Sequence, residues 1–212
     1  MIEDPRPVAD RSGKMSTLSS TSRPLTMTRV VLYPAGHERA LVPMTVVSGH
    51  FPAESHMEPE RLAAADYWDS FRAPLTRTDA SVTDLFHAVL CHHPLWLKRV
   101  LIARNAVARR FGLEAPVAAD VLKPALRSDY RVGDVICVWP TYHLSETELI
   151  AGRDNGHLDF RVSVLRDEQT VAVSTVCNAH NVYGRLYLRV IVPLHRAGLR
   201  WLMARAVRSG RL

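Results

Sequence analysis

The stretch GRDNGHLDFRVSVL (residues 152–165) contains the pattern that decides the fold. From residue 157 onward polar and apolar side chains alternate. The polar set is His157, Asp159, Arg161 and Ser163, and the apolar set is Leu158, Phe160, Val162 and Val164. A period of two is typical of a strand with one buried face in an antiparallel sheet. The preceding Asp154-Asn155-Gly156 has the composition of a tight turn, so the sequence predicts a turn followed by a strand.

Further segments with strand composition surround this one, at residues 66–75, 132–139, 147–151 and 171–177. Two helices are predicted after the first strand. One covers about residues 82–91 and begins at Ser81 and Asp84, whose spacing resembles a capping box. The other runs from Pro94 to Gly112. Any remaining strands are expected within residues 113–130.

The last predicted element is a long amphipathic helix over residues 182–207, capped by Asn181. Seven side chains share its broad apolar face: Tyr187, Val190, Ile191, Leu194, Ala197, Trp201 and Leu202. Four arginines share the opposite face: Arg185, Arg189, Arg196 and Arg200. We expect the apolar face to pack on the sheet, and we expect a kink or break at Pro193, which lacks a backbone donor.

Composition bounds the class of protein and its domain organisation. The chain has 212 residues, of which 47% are hydrophobic and 23% are charged, as in ordinary globular domains. We predict a flexible N-terminal extension over residues 1–60, one compact domain over residues 61–208 and a tail over residues 209–212. No segment resembles a secretory signal or a membrane span, so we expect a cytoplasmic protein. Cys91, Cys137 and Cys177 are predicted to be buried small hydrophobes in a reducing compartment.

Four stretches together resemble the bacterial family called domain of unknown function 2867: ADYWDSF (residues 65–71), HPLWLKRVLIARNAVARRFGL (residues 93–113), GRDNGHLDFRVSVL (residues 152–165) and VSTVCNAHNVYGRLYLRVIVPLHR (residues 173–196). The resemblance implies an α+β helix-grip fold of the START-like type, within the SRPBCC-like superfamily. In that fold a curved antiparallel sheet wraps around a long C-terminal helix, here with two short helices after the first strand. The resemblance implies no established activity, because helix-grip relatives include lipid carriers, cyclases and structural modules.

The polar face of the predicted strand contains three candidate site residues, His157, Asp159 and Arg161. Side chains two residues apart on a strand share one face, about 7 Å apart, so a carboxylate sits between a base and a guanidinium. If this face lines a cavity, Asp159 orients His157 for acid–base chemistry and Arg161 binds an anionic group. If it faces outward, the three side chains form a solvated ion network, which is the interpretation we favour. No catalytic residue is therefore assigned.

We predict that a cavity between the sheet and the C-terminal helix binds a small apolar or amphipathic molecule. Four aromatic residues are predicted to form its wall: Trp139, Phe160, Tyr187 and Trp201. Three residues are predicted to make polar contacts with the ligand: His157, Arg161 and His195. One alternative is a cyclase- or dehydratase-like enzyme that uses His157 and Asp159. Another is a scaffold or anionic-surface binding module that uses the C-terminal arginines.

The formal net charge of +6 and the pI of about 9.6 raise the question of a nucleic-acid or anionic-membrane partner. Seven arginines and no acidic residue lie between Arg185 and Leu212. Because the aromatic residues of this helix fall on its predicted core face, we expect no nucleic-acid partner and do not favour membrane contact. No metal or cofactor is expected, because His92-His93 lacks metal-ligand spacing. Glu148 is interpreted as a surface residue, and the oligomeric state is left open.

Overall fold

The computed structural model describes residues 45–110, 127 and 129–212. The expectations for residues 1–44 and for most of residues 113–130 lie outside these ranges. The described strands are β1 (Val47–Ser48), β2 (Tyr67–Pro74), β3 (Val135–Ile136), β4 (Trp139–Leu144), β5 (Glu148–Arg153), β6 (Leu158–Arg166) and β7 (Thr170–Ala179). The described helices are α1 (Pro59–Ala63), α2 (Val82–Phe86), a π-helix (His87–Cys91), α3 (Leu95–Arg110) and α4 (Val182–Arg208).

The strands form one curved antiparallel sheet in the order β1-β2-β7-β6-β5-β4-β3. The strand that carries the alternating pattern, β6, is central and pairs with β7 along its whole length. The predicted α+β fold, with an antiparallel sheet and a long C-terminal helix, is confirmed. The single strand predicted for residues 132–139 is wrong. That segment holds β3 and the start of β4, separated at Cys137, whose φ of 56° interrupts the extended backbone.

The alternation in β6 divides its side chains between the two faces of the sheet, as predicted. On one face, Val162 and Val164 pack in a core that includes Met203 of α4. On the other face, Met57 from the segment before α1 packs against β5 and β7. Both faces are therefore covered. The expectation of a solvated polar face is wrong for Arg161, which is only 2% exposed.

Residues upstream of the predicted domain boundary take part in the sheet. β1 pairs with β2 and places Val47 opposite Arg72. Val46 and Met57 are buried. The boundary at residue 61 stays a prediction, while the described sheet begins before it.

α4 packs on the sheet through a face that matches the predicted apolar face only in part, at Ile191 and Leu202. Its buried residues are Gly184, Leu188, Leu199, Leu202, Met203 and Ala206. Val190 and Leu194, predicted to face the core, are 64% and 66% exposed, so that prediction is wrong. A Cβ at Gly184 would collide with the carbonyl oxygen of His157, which shows how closely the helix backbone approaches the start of β6. A helical wheel ranks the faces of a helix by hydrophobicity, to which glycine contributes little, and it therefore does not predict this contact.

The course of α4 agrees with the sequence at its start and differs at Pro193. The backbone N–H of Gly184 donates to Asn181 Oδ1 at 3.0 Å, which confirms the predicted cap. The helix continues through Pro193, so the expected break is wrong. Pro193 and Arg189 both lie on the exposed side, where water can satisfy the carbonyl that loses its donor. Within the described ranges no helix, α4 included, is long and apolar enough to cross a membrane.

Cys91 and Cys137 form a disulfide, and their Cα atoms lie 6.0 Å apart. The prediction of reduced, unpaired cysteines is therefore wrong for these two residues. Cys177 is free and buried, as predicted. Burial raises the pKa of its thiol to about 12, so it stays protonated at neutral pH.

Candidate functional site

A cleft of about 420 Å³ opens where the C-terminal end of α4 meets the π-helix and the start of α3. Pro94 separates the π-helix from α3 and leaves two histidines in the connection. Gly210, with a φ of 64°, follows α4, and Arg211 Nη1 then donates to the carbonyl oxygen of Ala88 at 2.8 Å. Seven described residues line the cleft: Cys91, His92, His93, Lys98, Arg205, Ser209 and Arg211.

The cleft is basic. Lys98, Arg205 and Arg211 line it, and the described lining residues include no Asp or Glu. Nη1 of Arg205 is buried and has no hydrogen-bond partner among the described residues. Burial and the neighbouring Arg205 guanidinium lower the pKa of Arg211. A buried guanidinium nitrogen without an acceptor among the described residues is unfavourable, so an anion that enters the cleft would supply one.

The histidines of the cleft add neutral polar groups. Burial, with Lys98 and His92 close by, lowers the pKa of His93 to about 4, so its imidazole is neutral at pH 7. His92 Nδ1 lies 2.8 Å from the carbonyl oxygen of His87, a contact that requires Nδ1 to carry a proton. The cleft can therefore offer both cationic and neutral donors to a ligand.

The residues predicted to form a ligand wall lie in separate places: Trp139, Phe160, Tyr187 and Trp201. Trp139 and Phe160 meet edge to face, with ring centroids 5.5 Å apart. Trp201 contacts Trp96 at 5.8 Å, and its ring lies 5.6 Å from the Arg205 guanidinium. Tyr187 lies on the exposed side of α4. The structure thus brings two of the four together and places Trp201 next to a cleft residue.

His195 belongs to a small polar cluster under α4. Its Nε2 lies 3.2 Å from Thr175 Oγ1 and 3.5 Å from Asp69 Oδ2. The Tyr67 hydroxyl donates to the same carboxylate oxygen, and burial together with this hydrogen bond raises the pKa of Tyr67. The register of β2 and β7 sets Asp69 opposite Thr175. The cluster joins α4 to the sheet, and the ligand contact predicted for His195 stays a prediction.

Arg161 lies on the face of the sheet opposite α4 and has its own partners. Its guanidinium donates to both carboxylate oxygens of Asp154, at 2.6 and 3.0 Å. It also stacks on the ring of Tyr142, 3.5 Å from the centroid. Hydrogen bonds from Arg161 lower the pKa of Asp154. These contacts hold the guanidinium within the protein, and the ligand contact predicted for Arg161 stays a prediction.

The structure does not bring His157 and Asp159 together as an acid–base pair. Asp159 Oδ1 lies 2.9 Å from His180 Nε2, and its other oxygen lies 3.7 Å from Arg61. His157 Nδ1 instead lies 3.1 Å from Asn181 Nδ2, at the start of α4. The chemical roles predicted for His157 and Asp159 stay predictions.

The interpretation of Glu148 as a surface residue is wrong, because this side chain is fully buried. The Ser55 hydroxyl, the His56 backbone N–H and the Ser163 hydroxyl all donate to its carboxylate. The rings of His56 and His143 stack beside it, 4.2 Å apart with 16° between their planes. These three groups lie close enough to share a metal ion. However, nearly parallel imidazoles do not direct their lone pairs to one point, and the carboxylate already has donors, so the cluster fits a satisfied buried acid.

The cleft residues are missing from the sequence-based candidates. The one sequence signal for them is the arginine-rich, acid-free segment after Arg185, which contains Arg205 and Arg211. Lys98 and His93 come from a distant part of the chain, and only the fold brings them to the end of α4.

Comparison with known proteins gives one match. A family model described as "Protein of unknown function (DUF2867)" matches residues 61–200, which is more than half of the chain. None of the curated proteins and none of the solved structures matches the chain significantly.

Proposed function

This chain belongs to the DUF2867 family of proteins of unknown function, and we propose that it binds a small molecule with an anionic group in the basic cleft. The observation that most supports the proposal is the unpartnered Nη1 of Arg205, beside Arg211, in a cleft without a carboxylate among its described lining residues. Two neighbouring guanidinium groups suit a phosphate or carboxylate, whose oxygens accept several hydrogen bonds and neutralise both charges.

We propose that the rest of the ligand is apolar. Trp96 and Trp201 are both exposed, contact each other, and lie next to the cleft through Arg205. An exposed aromatic pair beside a charged site offers an apolar surface for the body of an amphipathic molecule. The helix-grip fold implied by the family resemblance supports this choice, because START-like relatives include carriers of such molecules.

An enzyme that uses His157 and Asp159 has less support, because Asp159 pairs with His180 and Arg61. A scaffold or anionic-surface module that uses Arg185, Arg189, Arg196 and Arg200 is the other alternative, and these side chains are exposed. We propose the cytoplasm as the location, where thiol systems keep most cysteine pairs reduced.

The test measures binding of dodecyl phosphate, dodecanol and inorganic phosphate by isothermal titration calorimetry, with oxidised protein and no added metal. We expect dodecyl phosphate to bind most tightly, because it alone supplies both the anion and the apolar chain. Arg205→Gln and Arg211→Gln should each weaken its binding at least about tenfold, the usual effect of losing a charged hydrogen bond.

Arg189→Gln is the matched control, because Arg189 is an exposed arginine of the same helix outside the cleft lining. It should leave the affinity for dodecyl phosphate unchanged. Equal affinity for dodecanol and dodecyl phosphate would overturn the proposal, as would an Arg205→Gln variant that melts like the wild type and binds equally well.

A further inference from the structure

Three groups that bind soft metal ions meet beside the cleft. One nitrogen of His87 and the sulfur atoms of Cys91 and Cys137 all lie within 4.8 Å of one another. His87 and Cys91 are buried, and Cys137 is half-buried. A histidine and two cysteines are the ligand types that zinc prefers, and this combination occurs in open, three-ligand zinc sites.

The two segments that supply these ligands both have unusual backbone conformations. His87 and Cys91 are the first and last residues of the π-helix. Side chains four residues apart lie on the same side of such a helical segment. Short π-helical segments are frequent at functional sites. Cys137 has a φ of 56°, which is uncommon for a residue other than glycine. Residues in such sparsely populated backbone conformations cluster at functional sites.

Tyr130 supports His87 from the side. The buried Tyr130 hydroxyl lies 3.4 Å from His87 Nε2, and the two rings meet edge to face at 5.6 Å. This contact holds the His87 ring in place between Tyr130 and the two cysteines. Zinc-binding histidines commonly use their second nitrogen in this way, because the contact fixes the orientation of the ring.

We propose that the chain, when Cys91 and Cys137 are reduced, binds one Zn²⁺ through the two thiolates and His87. This site goes beyond the ligand binding proposed above and does not depend on it. A set of three protein ligands leaves a fourth position for water. Because Cys91 also lines the cleft, the metal site and the cleft share a wall.

The disulfide and the zinc site are two states of the same cysteine pair. A dithiol reductant supplies two electrons and two protons to the Cys91–Cys137 bond, which breaks to give two thiols while the reductant becomes a disulfide. Zn²⁺ then replaces the two thiol protons, which pass to solvent, and two Zn–S bonds form. A disulfide oxidant reverses the exchange: it accepts two electrons from the thiolates and two protons from solvent to become a dithiol, the Cys91–Cys137 bond re-forms, and Zn²⁺ is released.

The test reduces the folded full chain with a phosphine, removes metal, and titrates Co²⁺ and then Zn²⁺. We expect one Co²⁺ per chain, with the intense visible absorption of thiolate-bound tetrahedral cobalt, and its displacement by Zn²⁺. Cys91→Ser, Cys137→Ser and His87→Asn should lose or strongly weaken this signal. Cys177→Ser and His143→Gln are matched controls from outside the site and should keep it.

A second measurement needs no variant and so does not depend on how the variants fold. Zn²⁺ should protect Cys91 and Cys137 of the reduced wild type from alkylation, as read by peptide mass spectrometry. Failure of the reduced, folded chain to bind either metal would overturn the proposal. So would a signal that survives both cysteine substitutions, or a cysteine pair that opens only when the chain unfolds.

Discussion

A buried arginine and a half-buried arginine in this molecule, Arg161 and Arg205, differ in what balances their charge. Arg161 donates two hydrogen bonds to Asp154 and stacks on Tyr142. Arg205 has a second arginine, Arg211, as its neighbour, and its Nη1 has no partner among the described residues. Nε of Arg161 also has no partner in the described part of the chain, so the two arginines differ in their counter-charge and not in whether every hydrogen bond is made. An arginine that pairs with a carboxylate of its own chain supports the fold, whereas one without such a partner is suited to bind an anion.

The largest expected effect tests whether Arg161 stabilises the fold more than Arg205 does. Arg161→Ala should lower the free energy of unfolding by about 2 kcal/mol, because it removes a buried side chain that packs on the Tyr142 ring and pairs with the half-exposed Asp154. Arg205→Ala, the matched change in the cleft, should lower it by less, about 1 kcal/mol at most, because it removes a contact with the Trp201 ring but no carboxylate partner. Urea denaturation measures both values. Equal losses of stability would show that both arginines support the fold to the same extent, which contradicts the comparison.

The second largest effect is expected from a substitution that gives the arginines of the cleft a carboxylate partner within the chain, as Arg161 has. Ser209 Oγ lies 2.7 Å from Arg211 Nε at the edge of the cleft, so Ser209→Asp would place a carboxylate beside the unbalanced arginines. We expect the affinity for dodecyl phosphate to fall at least about tenfold, because the internal anion competes with the ligand. The free energy of unfolding should change by less than about 1 kcal/mol, because exposed ion pairs contribute little and a helix C-terminus disfavours a carboxylate.

Ser209→Asn provides the uncharged control for this change and should keep most of the affinity. If Ser209→Asp bound dodecyl phosphate as well as the wild type does, the missing counter-charge would not be what makes the cleft an anion site.

The smallest effect concerns the pH dependence of the Arg161–Asp154 pair. Because Arg161 lowers the pKa of Asp154 in the folded state, the carboxylate contributes stability that is complete above the unfolded-state pKa and is lost as pH falls through the folded-state pKa. The stability difference between the wild type and Asp154→Asn should therefore be constant from about pH 7 to pH 5 and shrink below about pH 4. Urea denaturation at a series of pH values measures it, with Glu168→Gln as an exposed control. A difference that stays constant down to about pH 3 would contradict the assignment of the pair.

Secondary structure that is determined by residues close together in the sequence could be predicted. The alternation after His157 predicts β6 and its two faces, and Asn181 predicts where α4 begins. The predicted helix over residues 182–207 differs by one residue from the observed α4. In each case the signal lies within the segment itself, because strand period and helix caps are local properties.

Features that depend on contacts between distant segments could not be predicted in the same way. Glu148 is buried by donors from Ser55 and His56, and nothing near Glu148 in the sequence indicates this. The packed face of α4 depends on how closely Gly184 approaches His157. The cleft likewise exists only because the π-helix and α3 meet the end of α4.

The close approach at Gly184 has a mechanical consequence for the cleft. Arg205 lies about 30 Å further along α4, at a rise of about 1.5 Å per residue. A tilt of only about 5° around Gly184 would displace Arg205 by roughly 3 Å, which is the length of one hydrogen bond. Leu199, Met203 and Ala206 pack in the core at the other end of α4 and oppose such a tilt, so the packing at both ends of the helix fixes the position of the cleft arginines.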